Sequence, residues 1–509
     1  MRILRLISNR VFITTVLLMG QITWFILFLI KLTRYSVIIS AIFSLLSLIM
    51  VLHIVVKDDN PSYKIAWIIL IMALPLFGGL FYLFFGSKRP SKGMRILLDK
   101  EHQKIISMLE IDDEILEEIG TQDHRLMGTF KYLQEKNNFP LYKNTESTYY
   151  SSGETMFKDM LTELKKAKKY VFLEYFIIEE GKMWGEILKI LVEKANEGVD
   201  VRLIYDDVGS LFSLPKDFKK QMEDMGIRCM AFNKFRPFPS LVMNNRNHRK
   251  MLVIDGYSAF TGGINIADEY INEKNRFGYW KDTGVKLKGE GVWSFTLMFL
   301  EMWNAFYKTD DTYDDFKACK KDFKKYESHG YIQPYSDSPI DNEALGENVY
   351  IELLSQAKKY VYIFTPYLII DNEMKHALCI AAKRGVDVRI VTPGIPDKKI
   401  IYRLTRSNYE PLLKAGVRIF EYTPGFIHAK SYICDDKIGV VGTINMDYRS
   451  LYLHFECGVL MYETQSVKDL KKDSIKTIRA SREVSIEDIE KGVLGRFFDA
   501  FLRLVAPLT

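Results

Sequence analysis

Two short stretches of the chain place a histidine and a lysine one residue apart, with an aspartate five residues after the lysine. The residues are His248, Lys250 and Asp255 in "NHRKMLVIDG", and His428, Lys430 and Asp435 in "FIHAKSYICDD". The second set follows the first by 180 residues at all three positions. Side chains two apart on a β-strand point the same way, so each histidine and lysine share a face. The repeat indicates two halves of one site.

These residue types suit transfer of a phosphoryl group. A histidine can act as nucleophile or as general acid, but not as both in one step. Two histidines facing each other across a pseudo-twofold axis divide the work. One forms a phosphohistidine, while the other protonates the leaving alkoxide and later deprotonates the incoming hydroxyl.

Further residues of the two stretches have predicted supporting roles. Lys250 and Lys430 supply positive charge to the non-bridging oxygens, together with Asn265 in "TGGIN" and Asn445 in "VGTIN". Asp255 and Asp435 stand in "DG" and "DD" turns and are expected to organise the site rather than react. No metal or cofactor is expected, because the chain lacks H-E-x-x-H and clustered carboxylate ligands.

The elements around both stretches are also duplicated. "AKKYVFLEYFIIEE" from Ala167 resembles "AKKYVYIFTPYLII" from Ala357, and "EGVDVRLIYDD" from Glu197 resembles "RGVDVRIVTPG" from Arg384. Helical patterns alternate with strands rich in β-branched residues, which predicts an α/β sandwich with largely parallel strands. Two tandem domains of this fold, related by pseudo-twofold symmetry, are expected to share a site at their interface.

The N-terminal region contains three long apolar runs, Val11–Ile30, Tyr35–Val56 and Ile65–Gly86. Their lengths predict two or three transmembrane helices. Lysines and arginines from Lys88 onward place the downstream part in the cytoplasm by the positive-inside rule. Five cysteines without a C-x-x-C pair are consistent with reduced thiols in that compartment.

The paired motifs and the flanking segments resemble the phospholipase D superfamily, and within it the bacterial cardiolipin synthases. "DDNPSYKIAWIILIMALPLFGGLFYLFFGSKR" resembles that family's membrane segment, and "GRFFDAFLRLVAPL" its C-terminal end. The resemblance implies a multi-pass enzyme of the cell membrane that transfers the phosphatidyl group of one phosphatidylglycerol to another, giving cardiolipin and glycerol. It carries the nucleophile and acid/base roles to His248 and His428, and it suggests Glu269 and Glu456 as groups that orient the imidazoles.

The domain organisation expected from these features has six segments. They are a membrane anchor (1–87), a helical linker (88–140), a first phospholipase D-like domain (141–315), a connector (316–339), a second such domain (340–484) and a C-terminal amphipathic helix (485–509). That last helix could dock on the protein or lie in the membrane interface.

Alternative functions are phospholipid hydrolysis, a nuclease of the same superfamily and an inactive membrane scaffold. A nuclease is disfavoured by the apolar runs and by the absence of a concentrated basic stripe, so no nucleic-acid partner is expected. An inactive scaffold would be expected to have a damaged motif, and both motifs are intact. The acceptor lipid, the attacking histidine and the oligomeric state stay open.

Overall fold

The computed structural model describes residues 19–20, 22–24, 33–88, 90–234, 244–307, 309, 311–318, 329–341, 343–490 and 492–508. The chain divides into two units. One comprises Met1–Ser91, Phe235–Asn245 and Lys491–Thr509, and the other Lys92–Lys234 and Arg246–Glu490.

The first unit is built from helices. They are α1 (Thr33–Val56), α2 (Pro61–Ala73), α3 (Pro75–Phe85) and a C-terminal helix (Val493–Val505). Leu74 precedes a proline and has φ −133° and ψ 74°, so the helix stops between α2 and α3. The rings of Trp67 and Tyr82 then lie 5.2 Å apart, whereas fifteen residues of continuous helix would separate them by about 22 Å. The run from Ile65 to Gly86, predicted as a single helix, is therefore two helices folded against each other.

Membrane crossing was a specific expectation for this unit. Within the residues that the structure describes, no helix combines the length and the hydropathy needed to span a membrane. The two or three transmembrane helices stay a prediction from the sequence. Most of the first run, Val11–Ile30, falls outside the described residues.

The second unit contains two sheets built on one plan. The strands of its first half are β1 (Thr145–Tyr150), β2 (Tyr170–Tyr175), β3 (Asp200–Asp206), β4 (Arg228–Phe232), β5 (Lys250–Ile254), β6 (Ser258–Gly262), β7 (Tyr279–Lys281) and β8 (Gly284–Gly289). Those of its second half are β9 (Tyr331–Asp337), β10 (Tyr360–Phe364), β11 (Leu368–Ile369), β12 (Asp387–Pro393), β13 (Arg418–Tyr422), β14 (Gly425–Ile427), β15 (Ser431–Cys434), β16 (Ile438–Gly442), β17 (Met446–Asp447), β18 (Glu456–Tyr462) and β19 (Ser481–Glu483).

Strand order demonstrates the duplication. The first sheet runs β1-β8-β6-β5-β2-β3-β4, and the second runs β9-β18-β16-β15-β10-β12-β13 with β19 added at the end. Within these two sheets, as far as the structure describes them, parallel pairing is confined to β2-β3-β4 and β10-β12-β13, so the prediction of largely parallel strands was wrong. The three-residue turns after β5 and β15 are too short for a crossover connection, so each joins an antiparallel hairpin. β9, in the range predicted as a connector, is an edge strand paired with β18.

Helices flank both sheets of the second unit. They are α4 (Lys92–Ile106), α5 (Asp113–Gln122), α6 (His124–Lys131), α7 (Gly153–Leu164), α8 (Lys182–Asn196), α9 (Phe218–Asp224), α10 (Val292–Phe306), α11 (Leu345–Gln356), α12 (Asn372–Lys383), α13 (Lys399–Ser407), α14 (Tyr409–Lys414), α15 (Tyr448–Tyr452) and α16 (Gln465–Arg479). α10 is apolar on nearly every side and almost wholly buried, as expected of a helix enclosed in a core.

The two sheets share one hydrophobic core with α10. Phe172 of β2 and Val253 of β5 belong to the same buried cluster as Ile433 of β15 and Val459 of β18, together with Phe299 of α10. Burial of apolar surface is the dominant favourable term in folding. The two halves therefore stabilise each other and are expected to fold as one body.

Asp255 and Asp435 end strands β5 and β15 in left-handed backbone, with φ of 51° and 50°. The carboxylate of Asp255 accepts the backbone N–H groups of Lys168, Lys169 and Tyr170 at 2.8, 2.7 and 2.8 Å. Asp435 does the same for Lys358, Lys359 and Tyr360 at 2.6, 2.8 and 2.9 Å. Asp255 thus holds the "AKKY" segment at the start of β2 through hydrogen bonds, and Asp435 holds the corresponding segment at the start of β10.

The pair Asp435 and Asp436 offers a matched test of this tie. Asp435→Asn puts an amide N–H group against backbone donors, and we expect it to lower the free energy of unfolding by about 2–3 kcal/mol. Asp436→Asn, at an adjacent residue with φ of 65° and a half-exposed ion pair to Lys471, should cost less than about 1 kcal/mol. Denaturant unfolding of both variants measures the difference. Equal losses would contradict the structural role of Asp435.

Candidate active site

Each histidine lies just before a strand of its own half, where the chain touches the other half. The backbone N–H of His248 donates to the Phe455 carbonyl at 2.9 Å, and that of His428 donates to the Lys281 carbonyl at 2.7 Å. Just before His428, β14 of the second half pairs in parallel with β7 of the first half over three residues. Both histidines are therefore positioned by the backbone of the opposite half.

These crossings bring each imidazole to a carboxylate of the other half. His248 Nδ1 lies 2.8 Å from Oε1 and 3.0 Å from Oε2 of Glu456, and His428 Nδ1 lies 2.8 Å from Oδ2 of Asp282. Both side chains are 9% exposed and both carboxylates are fully buried. A carboxylate on Nδ1 fixes the tautomer and leaves Nε2 for chemistry.

The lysines complete the pair of motifs. Lys250 Nζ donates to the carbonyl oxygen of His248 at 2.6 Å. Lys430 Nζ donates to the carbonyl oxygen of His428 and lies 2.8 Å from its Nδ1 and 3.0 Å from its Nε2. Both lysines are buried, with 1% and 0% of their surface exposed. Two lysines and two imidazoles are thus buried together at the junction of the halves.

Burial controls the protonation of the histidines. Burial, with Lys250, Lys430 and His428 nearby, holds the pKa of His248 well below its usual range. Burial and Lys430 lower the pKa of His428 to about 4, although Asp282 opposes them. Without a bound anion, both imidazoles are neutral at pH 7, which is the form that can attack phosphorus or accept a proton.

Burial also acts on the lysines and carboxylates. It lowers the pKa of Lys250 to about 8 and that of Lys430 to about 7. It raises the pKa of Glu456 despite Lys250. For Asp282 burial is outweighed by His428 and Lys430, so its pKa is lowered. An arriving phosphate anion would raise the pKa of both lysines and restore their charge.

The sequence matches known families in both halves. The family model described as "Cardiolipin synthase, PLD-like domain" matches residues 160–276 and 350–476, and "Phospholipase_D-nuclease N-terminal" matches residues 45–87. A protein from Alkalihalophilus pseudofirmus named "Cardiolipin synthase" is 33% identical, over 92% of this chain and 93% of its own. "Cardiolipin synthase 2" of Bacillus anthracis is 35% identical, over 89% of this chain and 88% of its own. The chain belongs to the cardiolipin synthase family.

Two other similarities accompany this result. An uncharacterized protein of Streptococcus mutans is 47% identical, over 90% of this chain and 99% of its own. The crystal structure of phosphatidylserine synthase from Haemophilus influenzae covers 75% of this chain and all of its own, with a TM-score of 0.56 and 16% identity. At that identity the similarity shows the fold alone, which is the mixed α/β fold with two sheets.

In this member of the cardiolipin synthase family, the two asparagines differ in their surroundings. Asn265 uses both ends of its amide, because Oδ1 accepts from the Ile177 N–H at 3.1 Å and Nδ2 donates to the Tyr270 hydroxyl at 2.7 Å. Asn445 is 5% exposed, and its Oδ1 has no hydrogen-bond partner among the described residues. Tyr270 in turn packs on His428, with ring centroids 5.4 Å apart.

Three of the predicted residues are not brought to the imidazoles. Asp255 and Asp435 lie seven residues from their histidines, at the far ends of the strands and roughly 20 Å away along an extended chain. Glu269 pairs with Arg276 at 2.8 Å instead of with His428.

The carboxylate on His428 is Asp282, which the sequence reading missed. Glu456 follows Asn445 by eleven residues, whereas Asp282 follows Asn265 by seventeen, so a fixed spacing does not find it. The signal was the local match between "DTGV" at Asp282 and "ECGV" at Glu456. The two carboxylates occupy corresponding positions in the two halves: Asp282 stands two residues before β8 begins, and Glu456 is the first residue of β18.

Asp282 and Glu269 provide a direct comparison. We expect Asp282→Asn to lower kcat at least about a hundredfold, because the neutral amide no longer fixes the His428 tautomer or stabilises its protonated form. Glu269 pairs with Arg276 and makes no bond to an imidazole among the described residues, so Glu269→Gln should change kcat by less than about threefold. Steady-state kinetics on both purified variants tests the assignment, and a larger effect from Glu269→Gln would refute it.

Proposed function

We propose that the chain transfers the phosphatidyl group of one phosphatidylglycerol to a second phosphatidylglycerol, giving cardiolipin and glycerol. The family supports this reaction, and one structural observation supports its chemistry. Two neutral imidazoles, each held through Nδ1 by a buried carboxylate, are accompanied by two buried lysines at the junction of the halves. This arrangement suits a covalent, two-step displacement at phosphorus.

In the first step Nε2 of one histidine attacks phosphorus, and the bond from phosphorus to the glycerol oxygen breaks. The other histidine, protonated once the anionic phosphate is bound, gives its proton to the departing oxygen. In the second step this histidine takes the proton of a hydroxyl on the second phosphatidylglycerol. That oxygen attacks phosphorus and displaces the first imidazole, so the enzyme is regenerated.

The remaining residues have supporting roles in this proposal. Lys250 and Lys430 hold the non-bridging oxygens, and Asn265 and Asn445 border the same phosphate. The unpartnered amide oxygen of Asn445 supports this role, because an amide with an unused atom can reorient towards a ligand. Asp255 and Asp435 act through the backbone ties that begin β2 and β10. The segments 141–315 and 340–484, the second completed by its edge strand β9, would then serve as the two catalytic domains.

Defined lipid products test this function. The purified protein in detergent receives phosphatidylglycerol labelled in its terminal glycerol, with and without a chelator. We expect cardiolipin and free glycerol in equal amounts under both conditions. His248→Ala and His428→Ala should each reduce transfer at least about a thousandfold, because neither half completes the reaction alone. His376→Ala, at an exposed histidine of α12, is the matched control.

Two results of this assay would overturn the proposal. Phosphatidic acid as the sole lipid product would indicate hydrolysis, in which water intercepts the phosphohistidine. Substantial transfer by either alanine variant would contradict a shared site.

We further propose that the first unit attaches the enzyme to the cell membrane, with the catalytic domains on the cytoplasmic side. Its C-terminal helix carries exposed apolar side chains at helical spacing: Val493 (70% exposed), Leu494 (86%), Phe497 (72%), Phe498 (46%) and Phe501 (57%). Asp499 and Leu502 occupy its buried face. An apolar face with arginines beside it favours the interface of an anionic bilayer.

Fluorescence quenching tests this attachment. Phe497→Trp adds a reporter on the exposed face, and its emission is obtained as the difference from the wild-type protein. In phosphatidylglycerol vesicles we expect brominated acyl chains to quench the added emission and aqueous iodide to leave it largely unchanged. Efficient quenching by iodide with none by brominated lipid would place this face in water and refute the proposal.

A further inference from the structure

His454 is a buried histidine that the proposed reaction does not use. It is 8% exposed, and neither of its ring nitrogens has a hydrogen-bond partner among the described residues. His248 and His428, by contrast, each bind a carboxylate through Nδ1. Buried polar atoms are rarely left unpaired in folded proteins, so two unpaired nitrogens on one buried ring indicate a ligand for them.

Two metal-binding side chains are next to His454. Its ring lies 5.6 Å from that of His248 between centroids, and its Nδ1 lies 3.8 Å from Oε1 of Glu456. One ligand atom from each of the three residues falls within 4.8 Å of the others. Zinc–ligand bonds of about 2.0–2.2 Å in a tetrahedron separate the ligand atoms by about 3.3–3.6 Å. Shifts of about 1 Å would therefore bring the three atoms to one ion.

The donor types are selective. Two imidazoles and one carboxylate suit zinc and the neighbouring transition metals, whereas Mg²⁺ and Ca²⁺ prefer oxygen ligands alone. Lys250, Arg246 and Arg449 lie close enough to act electrostatically on this cluster. Their positive charge opposes a dication, so we expect affinity in the micromolar range rather than that of a structural zinc site.

The cluster exists on one side of the pseudo-twofold axis. His454 stands two residues before Glu456, and the residue two before Asp282 is Trp280. Trp280 packs on His428 at 5.5 Å between ring centroids, much as His454 packs on His248 at 5.6 Å. An indole cannot coordinate a metal in this way, so the chain itself provides a replacement of similar packing for His454.

We propose that His248, His454 and Glu456 form a binding site for Zn²⁺ or a similar transition-metal dication, and that its occupation inhibits the enzyme. The ion replaces the hydrogen bond between His248 Nδ1 and Glu456. Coordination uses the lone pair of Nδ1, so the single proton of the neutral imidazole moves to Nε2, which then has no lone pair with which to attack phosphorus or accept a proton. Inhibition rests on the function proposed above, whereas metal binding does not.

Binding is measured first, without lipid or turnover. The full-length protein in detergent is titrated with Co²⁺ and followed by its visible absorption, and with Zn²⁺ by calorimetry. We expect one ion per chain and the intense bands of four-coordinate Co²⁺. His454→Trp and His454→Gln should lose these bands and weaken Zn²⁺ binding at least about tenfold. No binding by the wild-type protein at millimolar metal would overturn the proposal, as would unchanged spectra in both variants.

Inhibition is measured second, by cardiolipin formation. We expect micromolar Zn²⁺ to inhibit the wild-type protein, a chelator to reverse this, and Mg²⁺ to have no such effect. Both His454 variants should keep basal activity within about threefold and require at least about tenfold more Zn²⁺ for half-inhibition. Equal sensitivity of variants and wild type would refute inhibition through this cluster. If no lipid product forms at all, the function fails, while the Co²⁺ spectra still decide the metal site.

Discussion

The candidate site depends on two backbone hydrogen bonds that cross between the halves of the second unit. One runs from the His248 N–H to the Phe455 carbonyl, the other from the His428 N–H to the Lys281 carbonyl. Each places its histidine beside the carboxylate that immediately follows the accepting residue in the sequence, Glu456 after Phe455 and Asp282 after Lys281. Because the bonds are made by the backbone, they fix the main chain at each histidine, and the carboxylate on Nδ1 then orients the imidazole. The shared core around α10 keeps the halves close enough to maintain them.

Burial at this junction determines the charge of the site. Taking imidazoles and ammonium groups out of water disfavours their charged forms, and the crowding of Lys250 and Lys430 adds to this effect. The empty site therefore holds its protons weakly. An anionic phosphate reverses the balance by favouring the charged lysines and one charged histidine. In the proposed reaction, substrate binding and proton uptake would therefore be coupled, and the acid required for the first step would form when its substrate binds.

The parts of this arrangement that depend on local pattern were predictable. The H-x-K pairs recur 180 residues apart, and the strands beside them recur in the same order. These two repeats predicted the duplicated α/β fold and the two histidines of the site. Asp282 was missed because the residues between Asn265 and this carboxylate include a longer loop than in the second half. Its role depends on a crossing between distant segments, which no spacing within one motif reveals.

Other differences arose from single residues with strong backbone effects. Pro75 divides an apolar run whose hydropathy alone predicts one helix. The turns after β5 and β15 reverse the chain where alternating strands and helices predicted parallel pairing. Asp255 and Asp435 share the motif spacing with the histidines, yet they bind backbone N–H groups at the far ends of the strands. The two aspartates are therefore repeated because each half needs the same backbone hydrogen bonds to hold its fold, and not because they react.

The way in which the two halves differ also follows a physical rule. A phosphate on the pseudo-twofold axis must meet the same groups from either side, and the histidines and lysines are identical in both halves. The groups behind them face different neighbours: Glu456 stands where the other half has Asp282, and His454 where it has Trp280. In the proposed reaction the two lipids have different tasks, since one donates a phosphatidyl group and the other a hydroxyl. The differences between these corresponding positions thus lie behind the histidines and lysines, where a residue can change without altering the groups that meet the phosphate in the proposed reaction.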